Sequence, residues 1–337
     1  MWPGSLKRKG RSAVSTLLQV EGLKKYFPAG KTNFLGKHTQ LLKAVDNISF
    51  AIEEGEIFGL VGESGCGKST TGRCILKIEE ITEGRMHFMG KDITDIRGRD
   101  LLDIRREMQM IFQNPYSSLN PRMTIYQSLE EVLKVHGIAT GKKAKERIAE
   151  LLEQVGLPKD AMDRHPHEFS GGQLQRIVIA RALAVEPKFI FADEPVSALD
   201  VSVQAQILNL LASLREELGL TILFVAHDLS VVEHISDRVG VMYLGQMVEM
   251  ADVKELYETP LHPYTQALID AIPVNHPKEK KDRVILEGDI PSPLDPPSGC
   301  RFASRCPKCF ARCTKEVPNF QEVKPGHYVA CHLYDEE

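Results

Sequence analysis

The residues most able to do chemistry lie at Gly62 to Thr70, which read GESGCGKST directly after the apolar run Ile57 to Val61. The stretch fits the pattern G-x-x-x-x-G-K-[ST], in the strand-then-helix setting that gives the pattern its meaning. Gly62, Gly65 and Gly67 let the backbone turn tightly, so that the N–H groups across Gly62, Ser64, Gly65, Cys66 and Gly67 can point at phosphate oxygens. A helix beginning near Lys68 would aim its positive dipole end at the same anion. Lys68 would add a point charge on the β- and γ-phosphates, and the Ser69 hydroxyl, followed by Thr70, would help complete a Mg²⁺ shell. The competing reading is a glycine-rich turn that ends in an ordinary surface lysine.

Further along the chain, other stretches carry compatible chemistry. Met108 to Phe112 reads as a short apolar strand, and Gln113 sits at its junction with a loop because Pro115 biases Asn114 away from helix. Phe169-Ser170-Gly171-Gly172-Gln173 precedes a helical stretch, Leu174 to Ala184, and offers a second anion-binding helix start. Phe189 to Ala192 reads as a buried strand with Asp193 and Glu194 at its C-terminal end, where ligands bind in open α/β sheets. There Asp193 can reach a metal shell while Glu194 accepts a proton from an attacking water. Ser197 to Asp200 follows, and a last buried strand, Thr221 to Val225, ends in Ala226-His227-Asp228. Upstream, Tyr26 and Phe27 offer aromatic faces on which a base could stack.

These groups need a scaffold to position them. A strand is expected from Leu17 to Val20, strands from Leu41 to Phe50 and Glu56 to Val61 about a turn at Glu53 to Gly55, and a hairpin around Gly90 to Asp92. Leu129, Val132, Leu133, Ile148, Leu151, Leu152 and Val155 recur at helical spacing, which predicts a mostly helical insertion before the chain returns to the sheet. The 337 residues, 42% hydrophobic and 26% charged, suffice for one large domain with an appendage. A net charge of −4 gives no basic excess of the kind that marks nucleic-acid binders. No run approaches the roughly 20 apolar residues that cross a bilayer, and Lys7, Arg8, Lys9 and Arg11 precede no apolar signal segment. The expectation is a soluble, cytoplasmic chain.

Taken together and in this order, the phosphate loop, Gln113, FSGGQ, the acidic pair, SALD and His227 resemble the ATP-binding cassette family over about Leu17 to His262. The resemblance implies a P-loop NTPase core with a RecA-like parallel sheet, an antiparallel β subdomain and a helical subdomain. It also implies a head-to-tail dimer in which ATP lies between the phosphate loop of one subunit and Ser170, Gly171, Gly172 and Gln173 of the other. Within that implication Glu194 is the general base, His227 the switch and Asp200 a contact across the dimer. Gln113 reports γ-phosphate, and Mg²⁺ is held by Ser69, Gln113 and Asp193. Phe27 aligns with the family's adenine-stacking aromatic, with Tyr26 as the alternative.

A narrower resemblance lies in Leu261-His262-Pro263-Tyr264-Thr265, Gly299 to Phe302, Arg305-Cys306-Pro307 and Ala330-Cys331-His332, together with Gln113 to Arg122. These segments are similar to oligopeptide/dipeptide importer ATPases, especially the second of their two paired subunits. This implies a tail at 1–16, a nucleotide-binding domain at 17–260 with its helical subdomain at about 115–170, and a C-terminal extension at 261–337. The implied role is to energise peptide uptake from the cytoplasmic face of the membrane. The implied partners are a sister ATPase or a second copy, two membrane permease subunits and an extracytoplasmic peptide-binding protein, with no nucleic acid. Related importers of nickel, glutathione, oligosaccharide or antimicrobial peptide stand as alternatives, and a soluble cassette ATPase is a more distant one.

Five of the seven cysteines, Cys300, Cys306, Cys309, Cys313 and Cys331, fall in this last segment, which has little core of its own to bury them. A reducing compartment disfavours disulfides. Zinc would suit Cys306-x-x-Cys309, an iron–sulfur cluster also takes four thiolates, and unliganded thiols are the third option. The importer resemblance favours a 4Fe–4S cluster on Cys300, Cys306, Cys313 and Cys331.

Overall fold

A computed structural model describes residues 15–32, 38–272 and 288–335. The N-terminal tail expected at 1–16 therefore lies, up to residue 14, outside the described residues, as do residues 33–37. The chain divides into two compact units, one made of residues 1–53, 57–94 and 226–337, the other of 54–56 and 95–225.

In the first unit, strands Thr16–Thr32 and His38–Glu53 pair antiparallel. Thr16–Thr32 also pairs with Glu83–Phe88, which carries the short strand Lys91–Asp92 at the edge. Thr16–Thr32 is far longer than the four residues its apolar pattern suggested. Gly22 and Pro28 interrupt that pattern, yet the ladder absorbs them: the register shifts between Val20 and Leu23, and Pro28 lies beyond the last residue paired to Glu83–Phe88. A second set of strands begins with Ile57–Val61, buried at every residue, which runs parallel to Arg238–Tyr243. Arg238–Tyr243 is antiparallel to Gln246–Asp252, and the C-terminal hairpin His327–Ala330 and Phe320–Lys324 continues from there.

That hairpin is fastened by Glu249, which is fully buried. Its carboxylate accepts from the Leu261 N–H at 2.6 Å and the His262 N–H at 2.9 Å, and lies 2.7 Å from His327 Nε2. The segment after Pro260 thus contains regular strands pinned to the preceding strand.

The second unit holds three parallel strands in the order Met108–Ile111, Phe189–Asp193, Thr221–Val225. The latter two are buried at every residue, the continuous apolar run typical of a parallel sheet. The helical insertion is present as Ile125–Val135 and Gly141–Gln154. Thr124 and Gln127 close a capping box on the first, which buries Ile125, Leu129 and Leu133; the second buries Ala144, Ile148, Leu151 and Leu152 on one face. Helix Gly98–Glu107 was not foreseen; none of its residues is buried. Among the described residues no helix is long and apolar enough to cross a membrane.

Candidate functional site

In the first unit the chain leaves strand Ile57–Val61 and enters helix Lys68–Ile75 through the glycine-rich loop. Two glycines are compulsory there. A Cβ on Gly62, at φ +148, would stand 2.1 Å from the Met242 carbonyl oxygen, and one on Gly67, at φ +107, would stand 2.2 Å from that of Ala44. Gly65 also has positive φ, but its Cβ would meet open space, so the loop crest is unobstructed. Ser64 and Gly65 are exposed at that crest, Cys66 is buried, and Ser69 and Thr70 are half-buried. Burial pushes the Cys66 thiol up, which keeps it neutral.

Gly67 caps the helix at φ +107 and, having no side chain, makes no capping hydrogen bond to the first turn. Lys68 is buried, and its ammonium donates to the carbonyls of Gly62 at 2.7 Å and Glu63 at 3.1 Å. This fixes a cation within the loop at the start of helix Lys68–Ile75, an arrangement suited to a polyphosphate. The loop is backed by Gly245, whose N–H donates to the Cys66 carbonyl at 2.8 Å while its own carbonyl accepts from Asp46 N–H at 2.7 Å.

The two candidate aromatics differ in their surroundings. The Lys25 ammonium lies 4.6 Å from the centre of the Phe27 ring. The Tyr26 hydroxyl donates to Asp46, the residue whose backbone joins the support of the loop. His227 is exposed, one residue beyond Ala226, whose N–H donates to Leu60 O at 3.3 Å.

In the second unit Asp193 is buried at the end of its strand, and the next residue turns sharply away. Glu194 takes φ +47, a left-handed conformation costly for a residue with a Cβ and held here by neighbours. Its N–H donates to Val225 O at 3.1 Å, and Ser197 Oγ donates to its carbonyl at 3.1 Å. Gln113, from the loop after Met108–Ile111, donates through Nε2 to Glu194 Oε2 at 2.8 Å and to Ser197 Oγ at 3.4 Å. Gln113 and Glu194, 81 positions apart, are thus brought into direct contact. An amide that orients a carboxylate can set the direction in which that carboxylate takes a proton.

Ser170 caps helix Gly171–Leu183, and its N-terminus is less open than expected. Ser170 Oγ accepts from Gln173 N–H at 3.4 Å, and Gln173 Oε1 accepts from Ser170 N–H at 3.1 Å, so the pair satisfies two donors reciprocally. Gly172 has a packing reason as well, since its Cβ would stand 2.4 Å from Val203 Cγ1; at Gly171 the nearest atom, on Leu199, is at 3.4 Å. Asp200 caps helix Val201–Leu218 without a side-chain hydrogen bond to it.

The C-terminal cysteines are all free thiols. Burial first, and then the neighbouring thiols Cys313, Cys331 and Cys306, push Cys300 up to about 11. Cys331 is likewise pushed up to about 11 by burial and by Cys306 and Cys313. The four are near enough to repel one another's charge, yet among the described residues no three His, Cys, Asp or Glu side chains form a group that could hold a metal ion. The arrangement therefore does not support the expected 4Fe–4S cluster on Cys300, Cys306, Cys313 and Cys331, nor zinc. Cys300 and Cys313 are tied through the backbone, Cys300 N–H to Cys313 O at 2.8 Å.

Residues 45–197 match the ABC transporter family, and residues 248–313 match the oligopeptide/dipeptide transporter C-terminal region. The chain is 53% identical over 321 residues to the putative oligopeptide transport ATP-binding protein YkfD of Bacillus subtilis (strain 168), covering 94% of this chain and 95% of that one. It is 51% identical over 317 residues to the oligopeptide transport ATP-binding protein OppF of the same organism, covering 94% and 96%. Among solved structures, it resembles the dimeric post-hydrolysis state of the ATP-binding cassette MJ0796 bound to ADP and Pi, with TM-score 0.62 and 30% identity over 70% of this chain and 99% of that one. Phosphate loop, oriented carboxylate and matched C-terminal region agree: the chain belongs to the ABC transporter family, among the ATP-binding proteins that carry the oligopeptide/dipeptide transporter C-terminal region.

Proposed function

We propose that this chain hydrolyses ATP to drive uptake of short peptides through a separate membrane permease, working at the cytoplasmic face as half of an ATPase pair. The observation that carries the hydrolytic part is Glu194, held in a left-handed turn with its carboxylate fixed by Gln113. In this reading Lys68 and the loop N–H groups bind the β- and γ-phosphates, and Glu194 accepts the proton of the attacking water. His227 and Gln113 respond to the γ-phosphate. Ser170, Gly171, Gly172 and Gln173 face the nucleotide of the partner subunit, and Asp200 contacts that subunit. Ser69, Gln113 and Asp193 offer hydroxyl, amide and carboxylate oxygens, a donor set that fits Mg²⁺. Bound there, the ion would offset charge on the phosphoryl oxygens.

Peptide as cargo rests on the printed names of the relatives and on the matched C-terminal region. Tyr26 competes with Phe27 as the stacking ring, and the link from its hydroxyl through Asp46 to the loop support favours Tyr26. The iron–sulfur reading of Cys300, Cys306, Cys313 and Cys331 rests on the electrostatic grouping of their thiols and requires the sulfurs to draw together. The deciding experiment is ATPase activity of the chain alone and after reconstitution with permease, sister ATPase and binding protein, with and without peptide. Stimulation by peptide only in the full assembly is expected. Activity indifferent to peptide and permease would overturn the import reading.

A further inference from the structure

Glu63, the second residue of the phosphate loop, is held at three points. Its carbonyl accepts from the Lys68 ammonium at 3.1 Å. Its N–H donates to the Tyr264 hydroxyl at 3.0 Å. Its carboxylate receives both arms of the Arg305 guanidinium, Nη1 to Oε2 at 2.9 Å and Nη2 to Oε1 at 3.1 Å, the planar fork that gives such pairs their directional strength. The last two contacts come from residues 201 and 242 positions away, beyond the cassette itself.

These two residues are themselves rigidly set. Tyr264 is fully buried, its ring 4.7 Å from Tyr243 and 5.4 Å from Phe302, with Tyr243 and Phe302 at 5.3 Å from each other. The Arg305 side chain is 8% exposed and also reaches the Tyr243 hydroxyl at 3.4 Å. Arg301, one turn before it, makes a parallel connection: it donates to Leu244 O and pairs with Asp46, which holds the Tyr26 hydroxyl and, through Gly245, backs Cys66.

A loop with glycines at 62, 65 and 67 has little conformational preference of its own, so something outside it has to fix where its N–H groups and Lys68 point. Here the outside element is the segment after the cassette. We propose that Arg305 and Tyr264 are positioning residues for nucleotide binding: by clamping Glu63 they hold the phosphate loop and its lysine in the phosphate-binding geometry. The C-terminal segment then sets nucleotide affinity without touching nucleotide.

The test is equilibrium titration of the full-length chain with a fluorescent ATP analogue, alongside the KM and kcat for ATP of the reconstituted transporter. Arg305→Ala is expected to weaken affinity about tenfold, the loss of one charge-assisted contact. Glu63→Ala should cost the same, and the double variant no more than either, because all three changes break one pair. The exchanged pair, Arg305→Glu with Glu63→Arg, should regain most of the loss. Tyr264→Phe, which removes a single oxygen from a packed ring, should weaken affinity about threefold. KM should rise while kcat stays within about twofold. A merely structural role predicts a lower melting temperature with affinity and KM unchanged, and that outcome overturns the proposal. So does additivity of the two alanine variants. If Arg305→Ala does not fold, Arg305→Lys and Tyr264→Phe decide: affinity unchanged in both overturns the proposal, and weakened affinity in either supports it.

Discussion

The phosphate loop and the cysteine-rich tail each concentrate reactive side chains in a short stretch of chain, but they are built in opposite ways. In the loop, the demand for particular residue types falls within nine consecutive positions: Gly62 and Gly67 occupy places where any Cβ would collide with the carbonyl oxygen of Met242 or Ala44. In the tail, the meaning of Cys300, Cys306, Cys313 and Cys331 depends on four sulfurs converging from positions spread over 32 residues, and among the described residues no three such side chains form a group that could hold a metal ion. A local geometric requirement leaves a signature in the chain; a convergent one leaves only a composition.

The largest effect is expected from disabling the chemistry while sparing the loop. Glu194→Gln is expected to lower phosphate release by about 10³-fold while nucleotide binding, measured by titration, stays intact. Normal turnover would remove Glu194 as the base. Lys68→Ala should weaken nucleotide affinity about a hundredfold, the worth of a buried charge-assisted contact. Gly67→Ala should combine lost affinity with a stability cost of about 3 kcal/mol, read by urea unfolding, from the clash with Ala44 O and the strained φ.

On the tail side the expected effects shrink. His262 is fully buried, and burial lowers its pKa to about 4, with Glu249 opposing. Its folded pKa lies below the unfolded value near 6.5, so the unfolded chain binds the extra proton. The His262 contribution is complete above about pH 6.5 and is lost as pH falls from there towards 4, by up to ~3 kcal/mol. Urea unfolding at pH 7.5, 6 and 5 checks this, and His262→Gln should flatten the slope. Cys309→Ser, which changes an exposed thiol, should leave nucleotide affinity within about twofold, whereas iron or zinc assay of the purified chain and of Cys306→Ser decides whether the tail holds metal at all.

What could be read in the chain follows the same divide. Strands Phe189–Asp193 and Thr221–Val225 were legible because buried parallel strands are unbroken apolar runs. The pairing of Gln113 with Glu194 was only half legible: each residue stood out at a strand end, but neither distance nor hydrogen bond is written in spacing. The capping box of Ser170 and Gln173 is legible in the chain, since S-x-x-Q is its pattern, whereas the packing of Gly172 on Val203 leaves no mark in the spacing. The clamp on Glu63 was invisible. An arginine between two cysteines and a tyrosine after a proline give no sign of a loop more than 200 positions earlier.

Glu249 carries one more consequence. Its single carboxylate holds the start of the C-terminal segment, at Leu261 and His262, and its final hairpin, at His327. Cutting the chain before Leu261 would take away the hydrogen-bond partners of this buried side chain, at a cost of about 1–3 kcal/mol for each polar atom left unsatisfied. The segment is therefore not a detachable module that could be lost or transplanted between cassettes at will. Any lineage or engineer that removes it has to replace Glu249 in the same step, which ties the inheritance of the tail to one interior position of the domain it decorates.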